Sequence, residues 1–169
     1  GHQRRLGVLG QGQLGLGTLP HQSGELLAER VVNFRAPQPE AIEAALVEDK
    51  EKKIKAVLLV HQIGMPADID GFTTLCQKHN LKLIEDAACA AGSAYKGKKI
   101  GSHSELVCFS FHPRKVITTG DGGMITTNNE EYYKRLKLLR QHAMSVNDRE
   151  RHNAGKIIFE DHLEVGYNY

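Results

Sequence analysis

Apolar residues change their spacing twice in the middle of the chain, from a continuous run to helical periodicity and back. The run at Ile54–Val60 has the length and composition of a strand that is covered on both faces. Apolar residues then recur at helical spacing, at Ile69, Phe72 and Cys76. A second short apolar run follows at Leu81–Glu85. The order strand, helix, strand predicts a βαβ unit, and therefore a parallel sheet with a right-handed crossover.

Further elements are predicted on both sides of this unit. The chain alternates apolar runs of strand length with turn residues and with amphipathic stretches, as expected of an α/β fold. The additional strands are Val31–Phe34, Leu106–Phe111 and Gly123–Thr127; a hairpin is predicted at Tyr95–Ile100, a helix from Pro39 and another from near Asn129, with Asn128 as its N-cap and Glu131 three residues later. We therefore predict a three-layer α/β domain with a mainly parallel sheet. Its core spans residues 31–143, between an unplaced Gly-rich segment (1–30) and an irregular segment (144–169).

The N-terminal segment contains a formal dinucleotide fingerprint, with glycines at Gly10, Gly12 and Gly15 after a short apolar run. A functional fingerprint must lead into a helix, and an acidic residue must end the next strand. Here Gly17 and Pro20 follow, and the next strand candidate ends without an acid. Nucleotide binding at this segment is therefore only a minor alternative, which predicts protection by NAD or ATP.

Composition is that of an ordinary globular protein, with 40% hydrophobic and 25% charged residues and a net charge of +2. The charges of both signs are interspersed, so nothing indicates nucleic acid or an anionic membrane as a partner. No apolar run approaches the roughly 20 residues of a membrane span, and no signal peptide is evident, so we expect a cytoplasmic protein. The three cysteines lack CxxC spacing and the nine histidines lack ligand spacing, so we expect no disulfide and no metal site.

Three residues at predicted strand ends have side chains suited to one ring-shaped cofactor. Asp86 follows a strand at the edge where open α/β sheets bind ligands, and a carboxylate there suits a protonated pyridine nitrogen. Lys115 follows the strand that ends at Phe111, and partial enclosure favours the neutral amine that attacks an aldehyde. Ser110 has a hydroxyl able to bind a phosphate. The alternatives are that Asp86 only caps a turn and that Lys115 forms a solvated pair with Arg114.

The motifs around these residues resemble one family. Their order and spacing, including the Ser-x-x-x-x-Lys pair, closely resemble the DegT-type sugar aminotransferases that depend on pyridoxal phosphate (PLP), which are fold type I enzymes of the aspartate aminotransferase superfamily. The resemblance covers about residues 31–169. The matching stretches are Val60–Gly64, Ile84–Ala88, Phe109–Lys115 and Gly120–Gly123.

The resemblance implies a role for five residues. Lys115 matches the Schiff-base lysine, which also moves the proton between substrate and cofactor. Asp86 matches the partner of the pyridinium nitrogen, and Ser110 matches a phosphate ligand. Cys89 occupies the position that commonly holds Gln or His near the phenolic oxygen of the cofactor, where a thiol is a weaker partner. Asn168 matches a segment that reaches the neighbouring subunit's cofactor phosphate.

The implied function is PLP-dependent transfer of an amino group, from glutamate, to a nucleotide-linked keto-sugar, in a homodimer. A PLP-dependent sugar dehydratase is disfavoured, because such relatives replace the lysine found here as Lys115. The chain resembles only the middle of the family, so we expect a large domain truncated at both ends, with the small domain missing after residue 169. The alternative is a catalytically silent fragment that acts as a binding or dimerisation module.

Overall fold

The computed structural model describes residues 15–18, 30–35, 39–146, 148–155, 157, 159 and 161–167. The chain divides into two compact units, Gly1–Thr126 and Thr127–Tyr169. In the described residues, the first unit contains the strands, two α-helices and a short 3-10 helix at Gln62–Gly64, and the second unit contains two further α-helices.

The first unit is built on a six-stranded mixed sheet in the order β1-β2-β3-β4-β7-β8. The four central strands are parallel, while β1 and β8 pair antiparallel with β2 and β7 at the two edges. The sheet strands are β1 (Gly15–Thr18), β2 (Arg30–Arg35), β3 (Ile54–Val60), β4 (Lys82–Asp86), β7 (Leu106–Ser110) and β8 (Gly123–Thr126). A separate two-stranded hairpin consists of β5 (Ala94–Tyr95) and β6 (Lys98–Lys99). The predicted α/β architecture with a mainly parallel sheet is confirmed.

Two helices complete the βαβ arrangement, namely α1 (Pro39–Glu48) before β3 and α2 (Ile69–His79) between β3 and β4. Helix α2 has well-defined ends. Asp68 caps its first turn by accepting a hydrogen bond from Gly71 N, and Asn80 ends it in the left-handed conformation, with φ of 52°. Because the helix ends at this cap, β4 begins two residues after Asn80.

The core lies between the parallel strands and these helices. Among the strands whose burial the structure describes, β3 is the most deeply buried, as its nearly continuous apolar composition predicted for a central strand. Apolar residues of α1 and α2 pack against it at helical spacing, which confirms the predicted amphipathic faces. The core cluster comprises Ile42, Val57, Leu59, Ile69, Phe72, Leu75, Cys76, Ala87, Ala90, Ile100 and Val107.

The second unit contains α3 (Glu130–Leu139) and α4 (Asp148–Asn153). The side chain of Asn129, rather than Asn128, caps α3 by accepting hydrogen bonds from the backbone N–H groups of Glu131 and Tyr132. The prediction of Asn128 as N-cap was therefore wrong by one residue. Arg135 on α3 forms an ion pair with Glu164.

Only the end of the N-terminal glycine motif lies in the described residues, and there the chain forms a strand. Gly10 and Gly12 lie outside the described residues, while Gly15 opens β1, which pairs antiparallel with β2. A strand at this point lacks the helix N-terminus that a dinucleotide fingerprint requires. Among the described helices, none is long and apolar enough to cross a membrane.

Candidate active site

Asp86 and Ser110 end two neighbouring parallel strands. Asp86 is the last residue of β4, where it pairs with Cys108 of β7, and Ser110 ends β7 two residues later. Parallel strands place their carboxyl ends at one edge of the sheet, which is the edge used for ligands in open α/β folds. On the other side of β4, the backbone N–H of His61 donates to the carbonyl of Asp86 over 3.0 Å. Asp86 is therefore fixed on both sides at this edge.

The turn after β4 is held by hydrogen bonds and by buried alanines. Asp86 Oδ1 accepts a hydrogen bond from Ala88 N at 3.0 Å, so the side chain does cap the turn. This bond uses one of the two carboxylate oxygens. Ala87 N donates to the carbonyl of Cys108 over 2.8 Å, and Ala87 and Ala90 are fully buried. Since these alanines point inward, Cys89 between them is exposed.

Gly64 allows a close approach to this turn. A Cβ at Gly64 would lie 2.6 Å from the carbonyl oxygen of Cys89, and its φ is +88°, which side chains disfavour. Ser93 Oγ donates to the carbonyl of Gly64 over 2.7 Å. The backbone of Cys89 is thereby packed against the segment that follows β3.

Lys115 lies on a loop whose ends are hydrogen-bonded to each other. Phe111 N donates to the carbonyl of Gly122 over 2.8 Å, and Thr119 N and Thr118 Oγ1 donate to the carbonyl of Phe111 over 3.2 and 2.8 Å. Among residues 112–123, all of which the structure describes, Lys115 alone is half-buried and the others are exposed. The loop therefore turns this lysine inward, in agreement with its predicted partial enclosure.

The loop brings Lys115 to the turn that follows Asp86. Lys115 Nζ lies 3.5 Å from the Sγ of Cys89, within the range of a hydrogen bond to sulfur. Cys89 is three residues after Asp86 in a tight turn. The structure therefore joins two of the predicted site residues directly and places the third on the same turn. An amine and a carboxylate at one sheet edge can bind an aldehyde and a protonated ring nitrogen.

Ser110 lies at the start of the same loop. Its Oγ accepts a hydrogen bond from His112 N at 3.4 Å, and the side chain is half-buried. After the lysine, Gly120 and Gly122 have φ values of +91° and +125°. The backbone therefore turns there in positive-φ conformations that glycine adopts more readily than other residues. Phosphate binding by Ser110 stays a prediction. Asn168 lies outside the described residues.

A buried polar pair that was not predicted from the sequence includes Glu85, the residue before Asp86. His61 Nε2 and Glu85 Oε2 are 2.8 Å apart, and both side chains are fully buried. His61 Nδ1 accepts a hydrogen bond from Ala67 N at 3.2 Å, so Nε2 carries the proton and donates to Glu85. Glu85 Oε1 also accepts from Ser104 N at 3.0 Å. The signal in the sequence is a polar residue at two strand ends, since His61 directly follows β3 and Glu85 is the penultimate residue of β4.

The charge of Glu85 is stabilised by these donors. Burial raises the pKa of this carboxyl, but the hydrogen bonds from His61 and Ser104 outweigh burial, and the net pKa lies below its ordinary value. The pair therefore joins the end of β3 to the end of β4, at the residue that precedes Asp86. Among the described residues, no group of three or more His, Cys, Asp or Glu side chains is arranged to hold a metal ion.

Comparisons with known proteins match most of the chain. A transaminase from Campylobacter jejuni, named for UDP-4-amino-4,6-dideoxy-N-acetyl-beta-L-altrosamine, is 41% identical over 128 residues, which are 76% of this chain and 32% of that protein. The crystal structure of an aminotransferase from Psychrobacter cryohalolentis has 35% identity and a TM-score of 0.65, over 78% of this chain and 33% of that one. A Streptococcus pneumoniae protein in its PLP form has 25% identity and a TM-score of 0.64, over 80% of this chain and 37% of that one.

The chain spans about a third of the length of the curated relatives it matches. The model of the DegT/DnrJ/EryC1/StrS aminotransferase family matches residues 32–169. This range includes the βαβ unit, the turn with Asp86 and Cys89, and the loop with Lys115. The chain therefore belongs to the DegT/DnrJ/EryC1/StrS aminotransferase family.

Proposed function

We propose that the chain carries the cofactor site of a PLP-dependent aminotransferase that transfers an amino group, from glutamate, to a keto carbon of a nucleotide-linked sugar. The observation that supports this most directly is the position of Lys115, half-buried on an otherwise exposed loop, with Nζ 3.5 Å from Cys89 Sγ. This contact brings the amine to the turn that begins at Asp86.

The residues at the sheet edge fit the polar groups of PLP. Lys115 is a primary amine suited to covalent attachment of an aldehyde. Asp86 keeps one carboxylate oxygen beyond its bond to Ala88 N, and a carboxylate is the partner that a protonated pyridine nitrogen needs. Ser110 offers a hydroxyl for a phosphate oxygen. When bound, PLP supplies an electron sink for the bond that is broken at the amino-bearing carbon.

Lys115 also has the chemistry to move the proton. Once its amine is released from the cofactor, it can act as general base and then as general acid at the substrate carbon. Asp86 would keep the ring nitrogen protonated, and the buried His61–Glu85 pair holds the strand end that positions Asp86. The proposed substrate class is supported by the similarity to the C. jejuni transaminase, whose name describes a UDP-linked amino sugar.

The first test is visible absorbance of the purified protein after incubation with PLP and dialysis. We expect a band of protein-bound PLP in the parent and its loss in Lys115→Ala. Lys98→Ala is the matched control, because Lys98 is an exposed lysine on the β5–β6 hairpin and should keep the band. A band that persists in Lys115→Ala would contradict the assignment of this lysine.

The second test is amino transfer from glutamate to a nucleotide-linked keto-sugar, followed by mass spectrometry of the sugar product. A PLP band together with an amino-sugar product supports the proposal. Absence of a specific PLP band in the parent would overturn the cofactor site and favour the alternative of a binding or dimerisation module.

A further inference from the structure

The three cysteines of the chain lie in very different surroundings. Cys76 is in the core, where burial raises the pKa of its thiol to about 11. Cys108 is half-buried, and burial, with a contribution from the Asp86 charge, raises the pKa of its thiol as well. Cys89 is exposed. Since oxidation by peroxide requires access, and burial disfavours the thiolates of Cys76 and Cys108, Cys89 is the thiol that should react first.

Cys89 also has an amine within contact distance. Lys115 Nζ is 3.5 Å from its Sγ, and both backbones are held in place. The carbonyl of Cys89 packs against Gly64, and Lys115 N donates to the carbonyl of His112 over 2.9 Å. The flexible stem of a lysine can close the remaining gap without backbone movement. A nucleophilic amine therefore lies beside the most accessible of the three thiols.

We propose that Cys89 and Lys115 form an oxidative modification site, in which hydrogen peroxide joins the two side chains through a sulfur–nitrogen bond. The thiol first reacts with one peroxide molecule to give a sulfenic acid and water. The nitrogen of Lys115 then attacks the sulfur, the S–O bond breaks, and the hydroxyl leaves with an amine proton as a second water. The sulfur is oxidised, peroxide is reduced, and the linked pair has lost two hydrogen atoms. This is the side-chain counterpart of sulfenamide formation with a backbone nitrogen.

The link would occupy the amine that the proposed function requires. It forms on the chain without PLP, so its existence does not depend on that function. Addition of a thiol should reverse it, because sulfur bonded to nitrogen is open to attack by a thiolate. The site would then make the lysine available under reducing conditions and withdraw it under oxidising ones.

The test is treatment of the PLP-free protein with hydrogen peroxide at low protein concentration, followed by proteolysis and mass spectrometry. We expect a peptide pair that contains Cys89 and Lys115, with the summed mass less two hydrogen atoms, which disappears after dithiothreitol. The pair should be lost in Cys89→Ser and in Lys115→Arg, whose guanidinium is not a comparable nucleophile. Cys108→Ser is the matched control and should retain the pair.

Three results would overturn the proposal. The first is conversion of Cys89 to sulfinic acid in the parent while Lys115 stays unmodified. The second is a link in the parent that involves Cys108 instead of Cys89. The third is a link to Cys89 that persists in Lys115→Arg, because another amine would then be the partner. Because the product is measured in the parent without PLP, its absence is distinguishable from failure to bind the cofactor.

Discussion

His61 donates a hydrogen bond from Nε2 to Glu85 Oε2 over 2.8 Å, with both side chains fully enclosed by protein. Without His61, the buried Glu85 carboxylate keeps only the hydrogen bond from Ser104 N, and most of the cost of its burial is no longer compensated. We therefore expect His61→Ala to lower the free energy of unfolding by about 3–5 kcal/mol, measured by urea denaturation. Glu43→Ala, which removes the exposed partner of Lys78, is the control and should leave the urea midpoint nearly unchanged. Equal effects of the two variants would contradict the role given to the buried pair.

The same pair predicts sensitivity to acid. Because the pKa of Glu85 is lower in the folded protein than in the unfolded chain, its contribution is fully present above the unfolded value of about 4.3. This contribution is lost as the pH falls through the lower folded value. We expect the urea midpoint of the parent to fall in this range, and Glu85→Gln to show a smaller fall relative to its own value at neutral pH. A parallel pH profile in both proteins would show that other carboxyls are responsible.

Asp86→Asn separates two roles of this side chain. An amide oxygen can still accept the hydrogen bond from Ala88 N, so the turn and the thermal midpoint should be retained. The negative charge for a pyridinium nitrogen is lost, and a hydrogen bond to a charged group contributes about 1.5–3 kcal/mol. We therefore expect PLP affinity to fall by about tenfold to a hundredfold, measured by absorbance titration. Unchanged PLP affinity would argue that Asp86 only caps the turn.

Gly64 and Gly92 allow the close contact at Cys89 to be tested. Both have φ near +90°, but a Cβ at Gly92 meets nothing within 4 Å, while one at Gly64 meets the carbonyl oxygen of Cys89 at 2.6 Å. Gly92→Ala should cost only the backbone strain, about 1–2 kcal/mol. Gly64→Ala should cost about 1–3 kcal/mol more, with a change in the reactivity of Cys89 towards a thiol reagent. Equal stability losses would show that the turn can move away from Gly64.

The cap of α3 offers a comparison between adjacent asparagines. Asn129 Oδ1 accepts hydrogen bonds from the first turn of the helix, so Asn129→Ala should lower stability by about 1 kcal/mol. Asn128→Ala should have a smaller effect, because Asn128 is exposed and precedes the cap. Thermal denaturation of both variants checks this prediction. A larger loss of stability in Asn128→Ala would show that Asn128, the residue predicted from the sequence, caps α3.

The strands and helices around the candidate site were largely predictable, because their burial is local to each segment. The apolar run at Ile54–Val60 predicts a strand covered on both faces, and Ile69, Phe72 and Cys76 share one face of α2. The choice between Asn128 and Asn129 was not predictable in this way. It depends on where the backbone turns extended, with φ of −96° and ψ of 116° at Asn129, and neighbouring asparagines supply the same side chain.

The sequence predicts the candidate site as a set of residues but not as contacts. Asp86, Ser110 and Lys115 can be assigned from strand ends and from family motifs. The distance between Lys115 and Cys89 depends on closure of a loop and on the packing of a separate turn, which no local pattern encodes. The partnership of His61 and Glu85 joins two strands across the interior, so it emerges only once β3 and β4 are paired.

The antiparallel pairing of β7 with β8 means that the loop with Lys115 leaves and returns at one edge of the sheet. The hydrogen bond between Phe111 and Gly122 closes it at the base. Most residues between them are exposed, so their substitution disturbs little of the interior. During evolution, such a loop can accumulate substitutions while the lysine keeps its place and the strands beneath the loop stay unaltered.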